Sequence, residues 1–119
     1  MEINFNVLEG EVLTKVEETT DVSGDVLIFH TQSGNRYRMK HHQECCEQVW
    51  LEDKNGKFDD IVGDRILSAY KAEHQSVNDG CCTWTFFIIA TIKHVLTLRW
   101  IGESNGYYSE DVEFEEITD

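Results

Sequence analysis

The densest group of side chains able to do chemistry in this 119-residue chain is His41-His42-Gln43-Glu44-Cys45-Cys46-Glu47. Two histidines and two cysteines within six residues offer nitrogen and sulfur ligands for zinc, and Cys81-Cys82 would complete a tetrahedral set from across the fold. The spacing speaks against this, because no CxxC hook is present and neighbouring residues on a strand face opposite ways. Packed cysteines with one hydrogen-bonded histidine are the stronger reading of His41, Cys45, Cys46, Cys81 and Cys82. A second chemistry would have His41 activate the thiol of Cys45 or Cys46 while Glu44 or Glu47 orients the ring. The acidic neighbours oppose it, since they disfavour a thiolate. Adjacent cysteines reach ordinary disulfide geometry with each other only under strain, so four free thiols in a reducing compartment are expected. No Gly-rich phosphate loop, HExxH or paired-carboxylate motif occurs elsewhere. The sequence points away from an enzyme and implies no cofactor and no resident metal.

Binding chemistry has more to draw on. Arg36, Arg38 and Lys40 alternate along one face of an expected strand, and Arg99 lies further on. With Tyr107 or Tyr108 for base stacking, these cations would suit the phosphates of a small nucleotide signal, which the protein would sequester. They would equally serve to pair with surface acids. The loop Glu103–Glu110, ESNGYYSE, combines polar and aromatic groups, so Asn105, Tyr107 and Tyr108 are candidates for a protein or ligand contact. Their alternative is a hairpin turn whose tyrosines cover the edge of the core.

Ten basic against twenty-three acidic residues give a formal charge of -13. That balance argues against direct contact with DNA, RNA or an anionic membrane, and it fits either a solvated acidic surface or a basic partner. On a C-terminal edge strand Glu113 and Glu115 would stand roughly 7 Å apart on one face, with Glu103 and Glu110 flanking the adjacent loop. A lysine- or arginine-lined groove built for phosphates would accept such a row, with Tyr107 and Tyr108 as apolar anchors. No apolar run approaches the ~20 residues of a membrane span. The N-terminus, MEINFNVLEGE, lacks a basic region followed by an apolar one, so a cytosolic protein is expected. Self-association is left open.

The elements that would position these groups are mostly strands. Thr83–Ile92 is apolar or β-branched on both sides, with Trp84, Phe86 and Ile88 on one and Thr85, Phe87 and Ile89 on the other, which marks a central strand. After a tight turn at Lys93-His94, Leu96, Leu98 and Trp100 alternate with Thr97 and Arg99 on its antiparallel neighbour. Asn105-Gly106 then favours a second hairpin turn, with Tyr108, Val112 and Phe114 returning as the third strand of a meander. Upstream, Ile3, Phe5 and Val7 suggest a short strand, and Asp25–Thr31, Arg36–His42 and Glu44–Asp53 suggest longer ones. Ile66, Leu67, Ala69, Tyr70 and Glu73 have helical spacing behind the acidic Asp59-Asp60, and His74–Gly80 reads as a loop. The expected fold is therefore a single α+β domain over residues 1–119: a mainly antiparallel, twisted sheet of about six strands with one helix, Asp64 to Glu73, packed across it. Its core would comprise Phe29, Tyr37, Val49, Leu51, Ile66, Tyr70, Trp84, Phe86, Ile88, Leu96, Leu98 and Trp100. The end, from Glu115, would fray.

Over residues 25–114 the chain resembles a family of small, functionally uncharacterised proteins encoded by phages and prophages of bacteria. The family pattern His-x-Gln-Asp-Cys-Cys-Glu is matched by His41, Gln43, Glu44, Cys45, Cys46 and Glu47, with Glu44 in place of Asp. Thr-Trp-Thr-Phe-Tyr is matched by Thr83–Phe87, with Phe87 in place of Tyr, and Arg-Trp-x-Gly-x-Ser-Asn-Gly-Tyr-Tyr-Ser-Glu-x-Val by Arg99–Val112. His94, where the pattern has glycine, and the Cys81-Cys82 pair depart from it. The resemblance carries no activity. It implies a virus-encoded protein working in the cytoplasm of a bacterial host. By analogy with small acidic phage proteins it implies a counter-defence inhibitor of a basic, nucleic-acid-handling host protein.

Overall fold

The computed structural model describes residues 2–75, 82–104 and 109–118. Along the chain a 3-10 turn (Phe5–Leu8) precedes β1 (Leu13–Asp21), β2 (Gly24–Thr31), β3 (Arg36–Lys40) and β4 (Gln48–Asn55). The one-turn helix α1 (Phe58–Ile61) follows, then β5 (Ser68–Gln75), β6 (Cys82–Ala90), β7 (Val95–Glu103) and β8 (Glu113–Glu116). They form two antiparallel sheets, ordered β1-β2-β3-β8 and β4-β7-β6-β5.

Local chemistry makes the turns. Asp21 accepts a hydrogen bond from the Ser23 N–H at 2.8 Å, closing the β1–β2 hairpin ahead of Gly24 at φ +119°. The Thr91 hydroxyl receives the His94 N–H at 3.2 Å in the β6–β7 turn, where the short turn was expected. The two sheets share one core, to which the first contributes Leu27, Phe29, Tyr37, Met39 and Phe114 and the second Val49, Phe87, Ile89, Leu96, Leu98 and Trp100. Phe5 joins them, its ring 4.9 Å from both Phe87 and Phe114 in edge-to-face geometry. A strand at Ile3–Val7 is thus replaced by a 3-10 turn that drops Phe5 between the sheets.

Three of the four edge strands, β4, β5 and β8, are each met by a side chain or by the N-terminal segment. Glu9 accepts from the Ala69 N–H of β5 (3.1 Å) and Asp25 from the Leu51 N–H of β4 (2.9 Å). The Ile3 N–H donates to the Phe114 carbonyl of β8 at 2.7 Å. Each contact occupies a group that would otherwise template another strand.

The α+β expectation is overturned: the described residues form a small β-rich domain whose only helix is the single turn α1. The segment expected as helix, Asp64 to Glu73, is mostly β5, paired with β6 from Ser68↔Ala90 to Gln75↔Thr83. The β6–β7 hairpin leaves one side of β6 with unpaired backbone groups, and β5 satisfies them along its length. An isolated helix of that size falls short of the ~12–15 residues that hold in water. On β6 the inner face is Thr85, Phe87 and Ile89, all at most 1% exposed, and Trp84, Phe86 and Ile88 face outward. Tyr70 is 52% exposed and Leu51 only partly buried. Phe29, Tyr37, Val49, Ile66, Leu96, Leu98 and Trp100 are in the core as expected. The meander is also corrected: β6 and β7 are a hairpin, but the next strand, β8, crosses to the other sheet and pairs with β3. Glu115 and Glu116 belong to that strand, and the Ile117 N–H still bonds the Arg36 carbonyl at 2.9 Å, so fraying does not begin at Glu115. No helix among the described residues is long and apolar enough to cross a membrane.

Candidate functional site

The motif His41–Glu47 folds into a loop tied around a buried carboxylate. Glu47 is fully buried and accepts hydrogen bonds from the Glu44 N–H (2.7 Å), the Cys45 N–H (3.0 Å) and His41 Nε2 (2.8 Å). Burial alone would push this carboxyl up, but the two N–H groups and the imidazole outweigh it and hold the group at about 2. The other nitrogen of His41 lies 2.6 Å from the Asp111 carbonyl, which can only accept. Both ring nitrogens are therefore engaged, one by a carbonyl and one by a carboxylate. Gln43 closes the loop by donating to the Glu47 carbonyl at 2.8 Å.

The two chemistries raised for this motif lose their groups. Cys45 and Cys46 are disulfide-bonded to each other and Cys82 is also disulfide-bonded, which corrects the expectation of free thiols. Cys81 lies outside the described residues. With His41 facing Glu47 and Asp111, neither a thiol–imidazole pair nor a set of zinc ligands is assembled. Among the described residues no cluster of three or more His, Cys, Asp or Glu could hold a metal ion.

The basic stripe stands on the outer face of the first sheet, where the expected alternation placed it, but within a lattice of ion pairs. Arg38 donates twice to one oxygen of Glu115, at 3.1 and 3.0 Å, and His42 approaches the same oxygen at 2.7 Å. Burial raises the Glu115 carboxyl, yet His42 and Arg38 together bring it below the usual carboxylate range. Lys40 is bound to Asp21, whose carboxyl is lowered by that contact first of all. Lys15 pairs with Glu17 at 2.8 Å in the neighbouring row. Arg36 lies on the same face. Arg99 is on the other sheet, pairing with Glu52 at 2.6 Å and stacking 5.4 Å over the Trp84 ring. The four candidate phosphate-binding cations are not gathered at one site.

The acidic candidates are dispersed as well. Glu103 is exposed at the end of β7, Glu113 is half-buried beside His42, and Glu115 is 7% exposed, held between Arg38 and His42. Glu110 is bound to the Ser104 hydroxyl and packs over Gly102, where a Cβ would stand 2.6 Å from the Glu110 Cβ. The close approach explains a glycine there. Asn105, Tyr107 and Tyr108 lie outside the described residues.

The outer face of the second sheet has the opposite chemistry. Residues opposite one another in register share a face, so one row across the strands reads Trp50, Ile101, Trp84 and His74. The next reads Asp53, Arg99, Phe86 and Ala72, and the third Asn55, Thr97, Ile88 and Tyr70. Val95, 60% exposed, extends the surface at one end. On this face Tyr70 and Val95 are exposed, Trp50, Trp84, Phe86 and Ile88 are half-buried, and Ile101 is buried.

Residues 6–114 match the model of a family described as a domain of unknown function (DUF7448). The chain belongs to this family. No curated protein and no solved structure matches it.

For this family member, two features escaped the sequence reading. The stronger reading of the Glu47 loop, packed cysteines with one hydrogen-bonded histidine, names no partner for His41, although Glu44, Cys45 and Glu47 follow each other closely enough for a carboxylate to cap the preceding N–H groups. The aromatic surface was assigned to the core because β6 is apolar on both sides. The signal that could have found it is the row of partners on β7: Thr97 and Arg99 oppose Ile88 and Phe86, and a buried face would not hold them.

Proposed function

We propose that this protein is a non-enzymatic, acidic binding protein, encoded by a phage and working in the host cytoplasm, that inhibits a defence protein by occupying its cationic, nucleic-acid-handling surface. The supporting observation is how its own cations are used. Lys15, Arg38, Lys40, Lys54, Lys71 and Arg99 each contact a carboxylate of the same chain. With those cations matched internally, the formal charge of -13 is left as surplus anion for a partner's lysines and arginines. The same use of Arg38, Lys40 and Arg99 argues against sequestering a small nucleotide, since its phosphates would have to displace carboxylates already bound. The phage setting and the cytoplasm rest on the motif resemblance alone.

The test is competition. Purified nucleic-acid-binding defence nucleases from a susceptible host are titrated with the protein at low and high salt, with their nucleic acid as competitor. Inhibition should follow the surplus charge, weakening steeply with salt and weakening again in Glu44→Lys/Glu103→Lys, both exposed positions. Inhibition indifferent to salt and to charge reversal, or none of the nucleases inhibited, would remove the acidic-mimic reading.

A further inference from the structure

Two faces of one domain differ sharply in what they present to water. The first sheet shows ion pairs, whereas the second shows Trp50, Trp84, Phe86, Ile88, Tyr70 and Val95 around a single guanidinium, Arg99, that Glu52 and Asp53 neutralise. We infer that this face docks a second copy of the chain, the two β4-β7-β6-β5 sheets packing face to face about a two-fold axis.

Size, charge and edge chemistry all select that occupant. At ~4.8 Å between strands and ~3.4 Å per residue, four strands over the span Trp84–Ala90 give a footprint of roughly 400 Å². Patches of roughly 300–600 Å² are the largest a monomer ordinarily exposes. Side-chain relief adds to the flat figure, so the pair falls at the lower end of specific interfaces, about 600 Å² per partner. Self-repulsion is the obvious objection for a chain of charge -13. Packed sheets stand ~10 Å apart, so the acids on the two first-sheet outer faces would be separated by about three such spacings, ~30 Å. That is several times the ~8 Å Debye length at physiological ionic strength. At its centre Arg99 is flanked by Glu52 and Asp53, one carboxylate in excess, and Glu103 lies at its margin. Edge pairing, the other route to self-association, is hindered by one contact each on β4, β5 and β8, from Asp25, Glu9 and Ile3, and on β1 by the bridge at Leu13. An isologous contact of this kind is the commonest oligomer.

Sedimentation velocity of the purified full chain, from about 1 to about 100 µM, reads the result directly, since interfaces of this size dissociate from the micromolar range downwards. Twice the monomer mass is expected at the upper end, with a dimer fraction that rises with salt, opposite in sign to binding of a basic partner. Tyr70→Lys/Val95→Lys should sediment as a monomer throughout with an unchanged far-ultraviolet dichroism spectrum, both positions being more than half exposed. Tyr70→Ser, a milder change, should weaken the dimer about tenfold. A wild type that stays at monomer mass at all concentrations and salts overturns the inference. So does a dimer that survives both variants, because its interface would lie elsewhere.

Discussion

Glu47 has the most to say at the scale of a residue. It has no access to solvent and its carboxylate is the acceptor for three donors, two of them backbone N–H groups of its own loop. Removing it leaves Nε2 of the buried His41 and two loop amides without their acceptor, a loss of about 3 kcal/mol by comparison with broken buried ion pairs. Glu47→Ala should therefore lower the thermal midpoint by on the order of 10 °C, as measured by calorimetry at neutral pH. The pH dependence has a definite sign. The folded-state pKa is depressed from 4.5 to about 2, so the contribution is fully present above 4.5 and disappears as pH falls through that interval. Glu115 and Asp21 are depressed as well and act in the same direction. The gap in stability between the wild type and Glu47→Gln should be constant from neutral pH down to about 5 and close towards pH 2. A gap that does not change with pH would show that packing, not charge, makes Glu47 matter.

Elements were legible where alternation had one answer. β3 alternates from Arg36 to Met39 and its Tyr37 and Met39 are inside, as is Phe29 of β2. The β6–β7 hairpin was legible from its length and turn. β6 itself had two apolar faces, and no period-2 pattern can choose between them; the choice is made across the strand, where Trp100, Leu98 and Leu96 oppose Thr85, Phe87 and Ile89. β5 misled for a related reason. Ile66 and Ala69 are both fully buried and three apart, which matches one face of a helix, although Ile66 lies before the strand and Ala69 within it. The pairing that makes it a strand is with residues downstream of the loop, so no local window contains it. A pair of truncations tests the face assignment. Phe87→Ala should cost about 3–5 kcal/mol, as deletion of a fully buried aromatic does. Phe86→Ala, one residue away and half-exposed, should cost about 1 kcal/mol or less in the monomer, measured by urea unfolding at low protein concentration. Equal costs, or the reverse order, would return the core to the other face.

At the scale of the whole molecule the balance is between ion pairs in contact and surplus charge spread over the domain. The pairs, such as Arg38–Glu115 at 3.0 Å and Lys71–Asp111 at 2.7 Å, are well inside the ~8 Å Debye length at physiological ionic strength and comparable with the ~3 Å of 1 M salt. Some are also shielded from water, so salt weakens them little. The net charge of -13 acts over the width of the domain, and that repulsion destabilises the folded state because folding brings the charges together. Its range is about 30 Å at 0.01 M salt and about 3 Å at 1 M. Raising salt therefore removes more repulsion than attraction, and the thermal midpoint should rise by a few degrees between those conditions. Dimer formation would add to the rise, since anything that binds only the folded state stabilises it. Running Tyr70→Lys/Val95→Lys beside the wild type separates the two contributions: a rise shared by both is relief of intramolecular repulsion, and the excess in the wild type is the interface. A midpoint that falls with salt in both proteins would mean that the ion pairs, not the surplus acids, dominate the electrostatics of this fold.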